Sequence, residues 1–120
     1  MTEFEKAKSL FDDGVEFYQK GDFESSKINF EDCLKIAPTS QPTLENLSKT
    51  YIELGNLNEA EEKLIFLIGL KKEKDNLAYK LLFKIYSLQN NFTKLIEQNK
   101  NTIIALTLIS ISILLVSLFL

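Results

Sequence analysis

A ten-residue pattern recurs three times along this chain at almost constant spacing. The stretches FYQKGDFESS, YIELGNLNEA and YSLQNNFTKL begin at Phe17, Tyr51 and Tyr86, so the steps between them are 34 and 35 residues. Each stretch begins with an aromatic residue, has Gly or Asn at its fifth place, and has Asp or Asn at its sixth. A period of this length is typical of proteins that stack similar helical units, and it predicts an all-α fold.

The centre of each stretch predicts a tight turn between two helices. Gly21 and Gly55 can adopt the left-handed conformation that commonly ends a helix, and Asn90 is the next most suitable residue at that place. The residues that follow them favour the N-cap of a second helix: Asp22, Asn56 and Asn91. Each copy is therefore expected to be a helix, a turn and a helix.

Apolar residues at helical spacing lie in phase in the first two second helices. The first set is Phe23, Ser26, Phe30, Cys33 and Leu34, and the second set is Leu57, Ala60, Leu64, Leu67 and Ile68. Ser26 and Ala60 are small, which suits a place where two helices approach closely. Pro38 ends the first unit because proline cannot continue a helix interior.

These positions together resemble the tetratricopeptide repeat family. The first unit offers Leu10, Gly14, Phe17, Gly21, Phe23, Ser26, Phe30, Cys33 and Pro38, and the second offers Leu44, Leu47, Ser48, Tyr51, Gly55, Leu57, Ala60, Leu64 and Leu67. The third unit is degenerate, with Tyr79, Leu82, Tyr86, Asn90, Phe92 and Leu95, and then Asn99 where an apolar residue is expected. The resemblance implies a repeat domain over residues 1–100, with units at about 7–40, 41–74 and 75–100. The charged segment Lys71–Asp75 is expected to be a solvated loop.

The C-terminal residues have a different composition. From Ile103 to Leu120 there are 18 residues without a charge, Gly or Pro, which is the length and purity of a membrane-spanning helix. Residues 101–120 are therefore predicted to be a transmembrane tail anchor in the lipid bilayer, and a buried core helix is the alternative. Lys94 and Lys100 precede the run, which suits a cytoplasmic flank.

Composition makes several classes of function unfavourable. The chain has no His, so the most frequent general base of enzymes is missing, and Cys33 is its one cysteine. We predict no catalytic residues, no cofactor and no metal site, and we interpret Cys33 as an inert buried thiol. The net charge of -3 argues against nucleic-acid binding, which requires a basic face.

The family resemblance implies that function lies in a concave groove lined by the first helix of each unit. Its predicted partner-binding residues are Phe11, Val15, Tyr18, Asn46, Lys49, Ile52, Lys80 and Lys84. The apolar members would form a floor and the three lysines a basic rim, which favours an acidic or amphipathic segment of a protein partner. An equally weighted alternative is that Phe11 and Val15 only pack against the chain's own N-terminal turn.

The sequence therefore predicts a membrane-tethered adaptor or scaffold for protein–protein interaction. Its repeat domain would face the cytoplasm, either at a bacterial inner membrane or at the membrane of a eukaryotic organelle. The alternative is a small structural subunit or assembly factor of a membrane complex, in which the anchor would make the specific contacts.

Overall fold

Five α-helices form the part of the chain that the computed structural model describes. The backbone is described for residues 1–70 and 76–119, and the side chains of these residues are described except at 76, 91–96, 98 and 101–103. The helices are α1 (Glu3–Gln19), α2 (Phe23–Ile36), α3 (Gln41–Glu53), α4 (Leu57–Leu70) and α5 (Asn76–Phe119). The predicted all-α class is confirmed for these residues, whereas the predicted loop Lys71–Asp75 lies outside them.

The chain divides into two compact units, Met1–Ile85 and Tyr86–Leu120. The first unit contains the buried hydrophobic cluster, in which α1 packs on α2, α2 on α3, and α3 on α4. The start of α5 contributes Ala78, Leu82 and Ile85 to the same cluster. The domain boundaries given from the sequence, 1–100 and 101–120, stay predictions.

The ends of the first helices follow directly from their sequence. Thr2 and Glu5 form a capping box at the start of α1, and the Asp22 side chain accepts a hydrogen bond from the Ser25 N–H at the start of α2. Pro42 lies in the first turn of α3. Backbone N–H groups in this turn have no partner within the helix, so proline costs no hydrogen bond there.

The predicted glycine turns are confirmed. Gly21 and Gly55 have φ angles of 78° and 77°, which are left-handed conformations. After α1, the Asp22 N–H donates to the Phe17 carbonyl at 2.9 Å and the Gly21 N–H donates to the Tyr18 carbonyl at 3.0 Å. This pair of bonds is the Schellman motif, which satisfies carbonyl groups that the helix end would otherwise leave unpaired. The turn after α3 repeats it at Gly55.

Small residues let the helices of each pair approach closely. A Cβ atom added to Gly14 would lie 2.6 Å from Cε1 of the fully buried Phe30. The Ser26 hydroxyl donates a hydrogen bond of 2.8 Å to the Gly14 carbonyl. Ser48 and Ala60 hold the matching places in the second pair and are fully buried. The in-phase packing positions predicted for α2 and α4 are confirmed.

The third helical pair was predicted wrongly. We expected a helix to end at Asn90 and another to begin after Asn91, but the described backbone of α5 continues through both positions. The degenerate third unit is therefore not a helix-turn-helix pair in this structure.

Residue sizes explain why the third unit does not repeat the first two. Phe83 stands in the sequence where the first two units have Gly14 and Ser48, so the small residue that permits close approach is lost. Leu95 stands where Ser26 and Ala60 are, and Asn99 replaces the large apolar residue represented by Phe30 and Leu64. Asparagine is also tolerated inside a helix at a modest cost, so nothing at residues 90–91 forces a turn.

The apolar C-terminal stretch is helical as far as it is described. α5 extends to Phe119, and every side chain from Ile104 to Phe119 is exposed. The Ile103 side chain and Leu120, which begin and end the predicted anchor, lie outside the described residues. Within the part that is described, no helix combines the length and the apolar character needed to span a bilayer. The transmembrane part of the prediction is therefore not supported.

Candidate partner-binding groove

A cavity of about 190 Å³ lies between α1, α3 and the beginning of α5. α1 and α3 are the first helices of the first two repeat units, and α5 begins where the first helix of the third unit was predicted. The residues that line the cavity are Tyr18 from α1, Lys49, Ile52 and Glu53 from α3, and Leu81 and Lys84 from α5. All of them belong to the compact unit Met1–Ile85.

Helical spacing explains how these side chains come together. Lys49, Ile52 and Glu53 are related by three and four residues, so they share one face of α3. Leu81 and Lys84 are three residues apart and share one face of α5 in the same way. Since α3 ends immediately before the Gly55 turn, Glu53 lies at the last position of its helix and borders the cavity.

Four of the eight residues predicted for the groove line this cavity: Tyr18, Lys49, Ile52 and Lys84. Ile52 is buried, so it forms part of the floor. The two lysines line the cavity from different helices, Lys49 from α3 and Lys84 from α5. The functional role given to these residues stays a prediction.

The other four predicted residues do not line this cavity. Phe11 and Val15 are partly buried and pack against the hydrophobic cluster, and the Phe11 ring centroid lies 5.8 Å from that of Phe30. The Asn46 side-chain amide donates a hydrogen bond of 2.8 Å to the Pro42 carbonyl within its own helix. Lys80 is exposed on α5.

Phe11 lines a different cavity, which has a volume of about 300 Å³. Its walls come from the first half of α1, the end of α2 and the beginning of α3. They are formed by Phe4, Ala7, Lys8, Phe11, Cys33, Ala37, Ser40, Pro42 and Thr43. Cys33 is buried there, and its thiol lies 3.3 Å from the Ala7 carbonyl oxygen. Phe11 and Tyr18 therefore line different cavities, and the binding role given to Phe11 stays a prediction.

Glu53 and Leu81 are groove residues that the sequence reasoning missed. Glu53 is four residues after Lys49 and Leu81 is three before Lys84, so helical spacing from the predicted lysines could have found both. The presence of Glu53 means that the rim carries both signs of charge. A partner segment with an acidic group alone would meet this carboxylate as well as the lysines.

Tyr18 connects the apolar and charged parts of the groove. Its ring makes an edge-on contact with the Phe23 ring, with the centroids 5.2 Å apart. Partial burial raises the pKa of the Tyr18 phenol, and the nearby Glu53 carboxylate raises it further. The hydroxyl therefore keeps its proton at neutral pH and can donate a hydrogen bond to a partner.

Two segments of the chain, residues 7–40 and residues 42–64, match the model of the tetratricopeptide repeat family. They correspond to the first two helical pairs, so the predicted family resemblance is confirmed for this part of the chain. No curated protein matches the chain significantly.

Proposed function

We propose that this protein is an interaction adaptor, because residues 7–40 and 42–64 match the model of the tetratricopeptide repeat, a family that generally binds other proteins. It holds an extended or helical segment of a protein partner in the groove between α1, α3 and α5. The observation that carries the proposal is the convergence of Tyr18, Ile52 and Lys84 from three different helices on one cavity.

The dimensions and chemistry of the groove favour a polypeptide over a small molecule. Small-molecule sites usually measure about 300–1,000 Å³, whereas this cavity measures about 190 Å³. One apolar side chain of a partner can contact Tyr18, Ile52 and Leu81. Charged groups beside that side chain can then pair with Lys49, Lys84 or Glu53, so an amphipathic segment is the best occupant.

The test of the groove compares variants in an affinity purification of the full chain from detergent extracts, with quantitative mass spectrometry. Tyr18→Ala removes an aromatic anchor, and such a truncation at a binding hot spot costs about 2 kcal/mol or more. We expect a partner retained by the wild type to be lost from this variant. The matched control is Phe66→Ala, because Phe66 is an exposed aromatic residue on α4 that does not line the groove.

Charge reversal at the rim tests the groove independently. Lys84→Glu is expected to slow association and to make it less sensitive to salt, because rim charges steer partners more than they hold them. Binding rates of the recovered partner would be measured at low and high salt. Unchanged binding in both Tyr18→Ala and Lys84→Glu, with the melting temperature preserved, would place the working surface elsewhere.

We further propose that the apolar C-terminal stretch attaches the repeat domain to a membrane, with the domain on the cytoplasmic side. The proposal is supported by the uncharged sequence from Ile103 to Leu120 and by the exposure of the described apolar side chains within it. Exposed apolar surface of this extent is unfavourable in water. The hydroxyls of Ser110, Ser112 and Ser117 each donate to the carbonyl four residues earlier, so these groups need no water as a partner.

Membrane attachment is tested by fractionating cells that express the full chain. We expect it in the membrane pellet after alkaline carbonate treatment, and we expect the double variant Leu108→Lys with Leu114→Lys in the supernatant. Ile28→Lys is the control, because Ile28 is an exposed apolar residue of α2. A glycosylation reporter at the C-terminus distinguishes crossing from surface attachment. Wild-type chain that is released by carbonate would contradict the proposal.

A further inference from the structure

The outer face of α5 carries large apolar side chains where a terminal helix of a stack usually carries polar ones. Terminal elements of repeat proteins need a polar outer face to stay soluble. Within the unit Met1–Ile85, however, Tyr79 is 50% exposed and Phe83 is 73% exposed. The two residues are four positions apart, so they form one continuous patch on the same side of the helix.

The repeat register shows what kind of element fits this patch. Tyr79 and Phe83 correspond to Leu10 and Gly14 in α1 and to Leu44 and Ser48 in α3. In the first pair α2 covers this face, since Phe30 contacts Gly14, and in the second pair α3 packs on α4 and both Leu44 and Ser48 are buried. The equivalent face of the two earlier helices thus receives an α-helix, and the patch on α5 is suited to the same kind of occupant.

The size of Phe83 defines the surface of that occupant. In the first two pairs the first helix has a small residue at the place of Phe83, namely Gly14 or Ser48. Because Phe83 is large, a helix that approaches equally closely must itself have a small residue, Gly, Ala or Ser, opposite this ring. The chain's own sequence does not meet this requirement, because Leu95 stands at the register position where α2 and α4 have the small residues Ser26 and Ala60.

The charge beside the patch defines which charged residues the occupant should carry. Lys80 follows Tyr79 directly and is exposed, and the sequence between Asn76 and Ile85 contains no acidic residue. Acidic residues on the occupant would complement this positive charge. A second copy of the chain that pairs through the same face would place lysines opposite lysines, which is unfavourable.

We propose that the face formed by Tyr79, Lys80 and Phe83 binds an α-helix of a partner protein that has a small residue on its apolar side and acidic residues beside it. This face is separate from the groove, because none of its three residues lines the groove cavity. The inference therefore goes beyond the proposed groove function and does not depend on it.

The experiment uses the full chain in a nonionic detergent and two synthetic amphipathic helices labelled with a fluorophore. Both peptides have the same Leu and Ala face, which is flanked by Glu in one peptide and by Lys in the other. Fluorescence anisotropy is expected to show binding of the Glu-flanked peptide only. Phe83→Ala should weaken this binding about tenfold or more, as for an aromatic hot spot. Lys80→Glu should weaken it as well and should allow the Lys-flanked peptide to bind.

Phe66→Ala is the matched control, because it removes an exposed aromatic residue of α4 that lines neither the groove nor the α5 face. It should leave the affinity unchanged, and the melting temperatures of Phe83→Ala and Lys80→Glu should stay near that of the wild type, since both side chains are exposed. The proposal is overturned if the Glu-flanked peptide fails to bind, if both peptides bind the wild type equally, or if Phe66→Ala weakens binding as much as Phe83→Ala. Dimers in sedimentation that depend on Phe83 would also overturn it, in favour of a second copy as the occupant.

Discussion

At the residue scale, the turn glycines are required for their backbone conformation and not for space. Gly21 and Gly55 have positive φ angles, and a Cβ atom added to either would meet no atom within 4 Å. Gly55→Val should therefore destabilise the fold by about 1–2 kcal/mol, which is the cost of a left-handed conformation for a residue with a side chain. Thermal unfolding measures this loss of stability. Gly55→Asn should lose less stability than Gly55→Val, because asparagine tolerates the left-handed conformation. Equal losses in the two variants would contradict the explanation.

Gly14 is required for the opposite reason, since the place where its side chain would lie is already filled. Its added Cβ atom would lie within 3 Å of the fully buried Phe30 ring. We expect Gly14→Ala to destabilise the protein by about 1–3 kcal/mol through overpacking. Gly69→Ala is the control, because Gly69 lies within α4 with no atom near its Cβ position, and it should stabilise the helix by about 0.5–1 kcal/mol. The changes in unfolding free energy are measured by urea unfolding. A change in the same direction for both variants would contradict the packing argument.

Tyr51 gives the stability a dependence on alkaline pH. Its hydroxyl donates a hydrogen bond of 2.7 Å to Glu31 Oε1, and burial followed by this hydrogen bond strongly raises the pKa of the phenol. The unfolded chain ionises tyrosine near pH 10, so this contribution is present below about pH 10 and is lost as the pH rises above that value. Tyr51→Phe should lose about 1–2 kcal/mol at pH 7 and should depend less on pH above 10. Lysine residues ionise in both the wild type and Tyr51→Phe, so only the difference between the two proteins reports on Tyr51. Parallel curves of unfolding free energy against pH would contradict the prediction.

The repeat register identified four of the residues that line the groove cavity. Tyr18, Lys49, Ile52 and Lys84 were found because the first helix of each unit presents the same face to the groove. Phe11 lines the other cavity, and its ring packs against Phe30, a contact that the register alone does not reveal. Glu53 was missed because the repeat register placed Asn46, Lys49 and Ile52 in the groove and did not include the residue after Ile52.

At the scale of the helices, Asn90 and Gly55 occupy the same place in the repeat and have different structures. Gly55 ends a helix, whereas Asn90 is exposed within α5. Asn90→Ala should therefore raise the helical circular dichroism and stabilise α5 by about 0.5 kcal/mol, because alanine has the higher helix propensity. Gly55→Ala should destabilise the protein, because alanine disfavours the left-handed conformation. A loss of helicity in Asn90→Ala would restore the predicted third turn.

The turns within the first two helical pairs could be predicted because each is marked by local sequence. Asp22 and the two turn glycines determine the helix ends through local interactions that do not depend on distant parts of the chain. The continuity of α5 could not be predicted in this way, since Asn90 suits either a turn or a helix. The decision depends on whether a returning helix could pack, and Phe83 and Leu95 are too large for the close approach seen at Gly14 and Ser26.

At the scale of the whole molecule, the described members of the buried cluster run from Phe30 to Ile85, and all of them belong to the unit Met1–Ile85. Removal of residues 102–120 should therefore leave a soluble helical protein that melts cooperatively. Circular dichroism and size-exclusion chromatography measure this outcome, with the full chain in detergent as the reference. Aggregation of the shortened chain, or loss of its helical signal, would assign the last helix to the core.

The neighbour-to-neighbour packing of α1 to α4 also bears on how the chain is made. Each helix of this set contacts mainly those next to it in sequence, and helical proteins with such local contacts fold in about microseconds to milliseconds. Synthesis adds only about 5–20 residues per second, so roughly one second or more separates the emergence of the first helical pair from that of the second. The repeat units can therefore fold one after another as they leave the ribosome, beginning with the N-terminal pair.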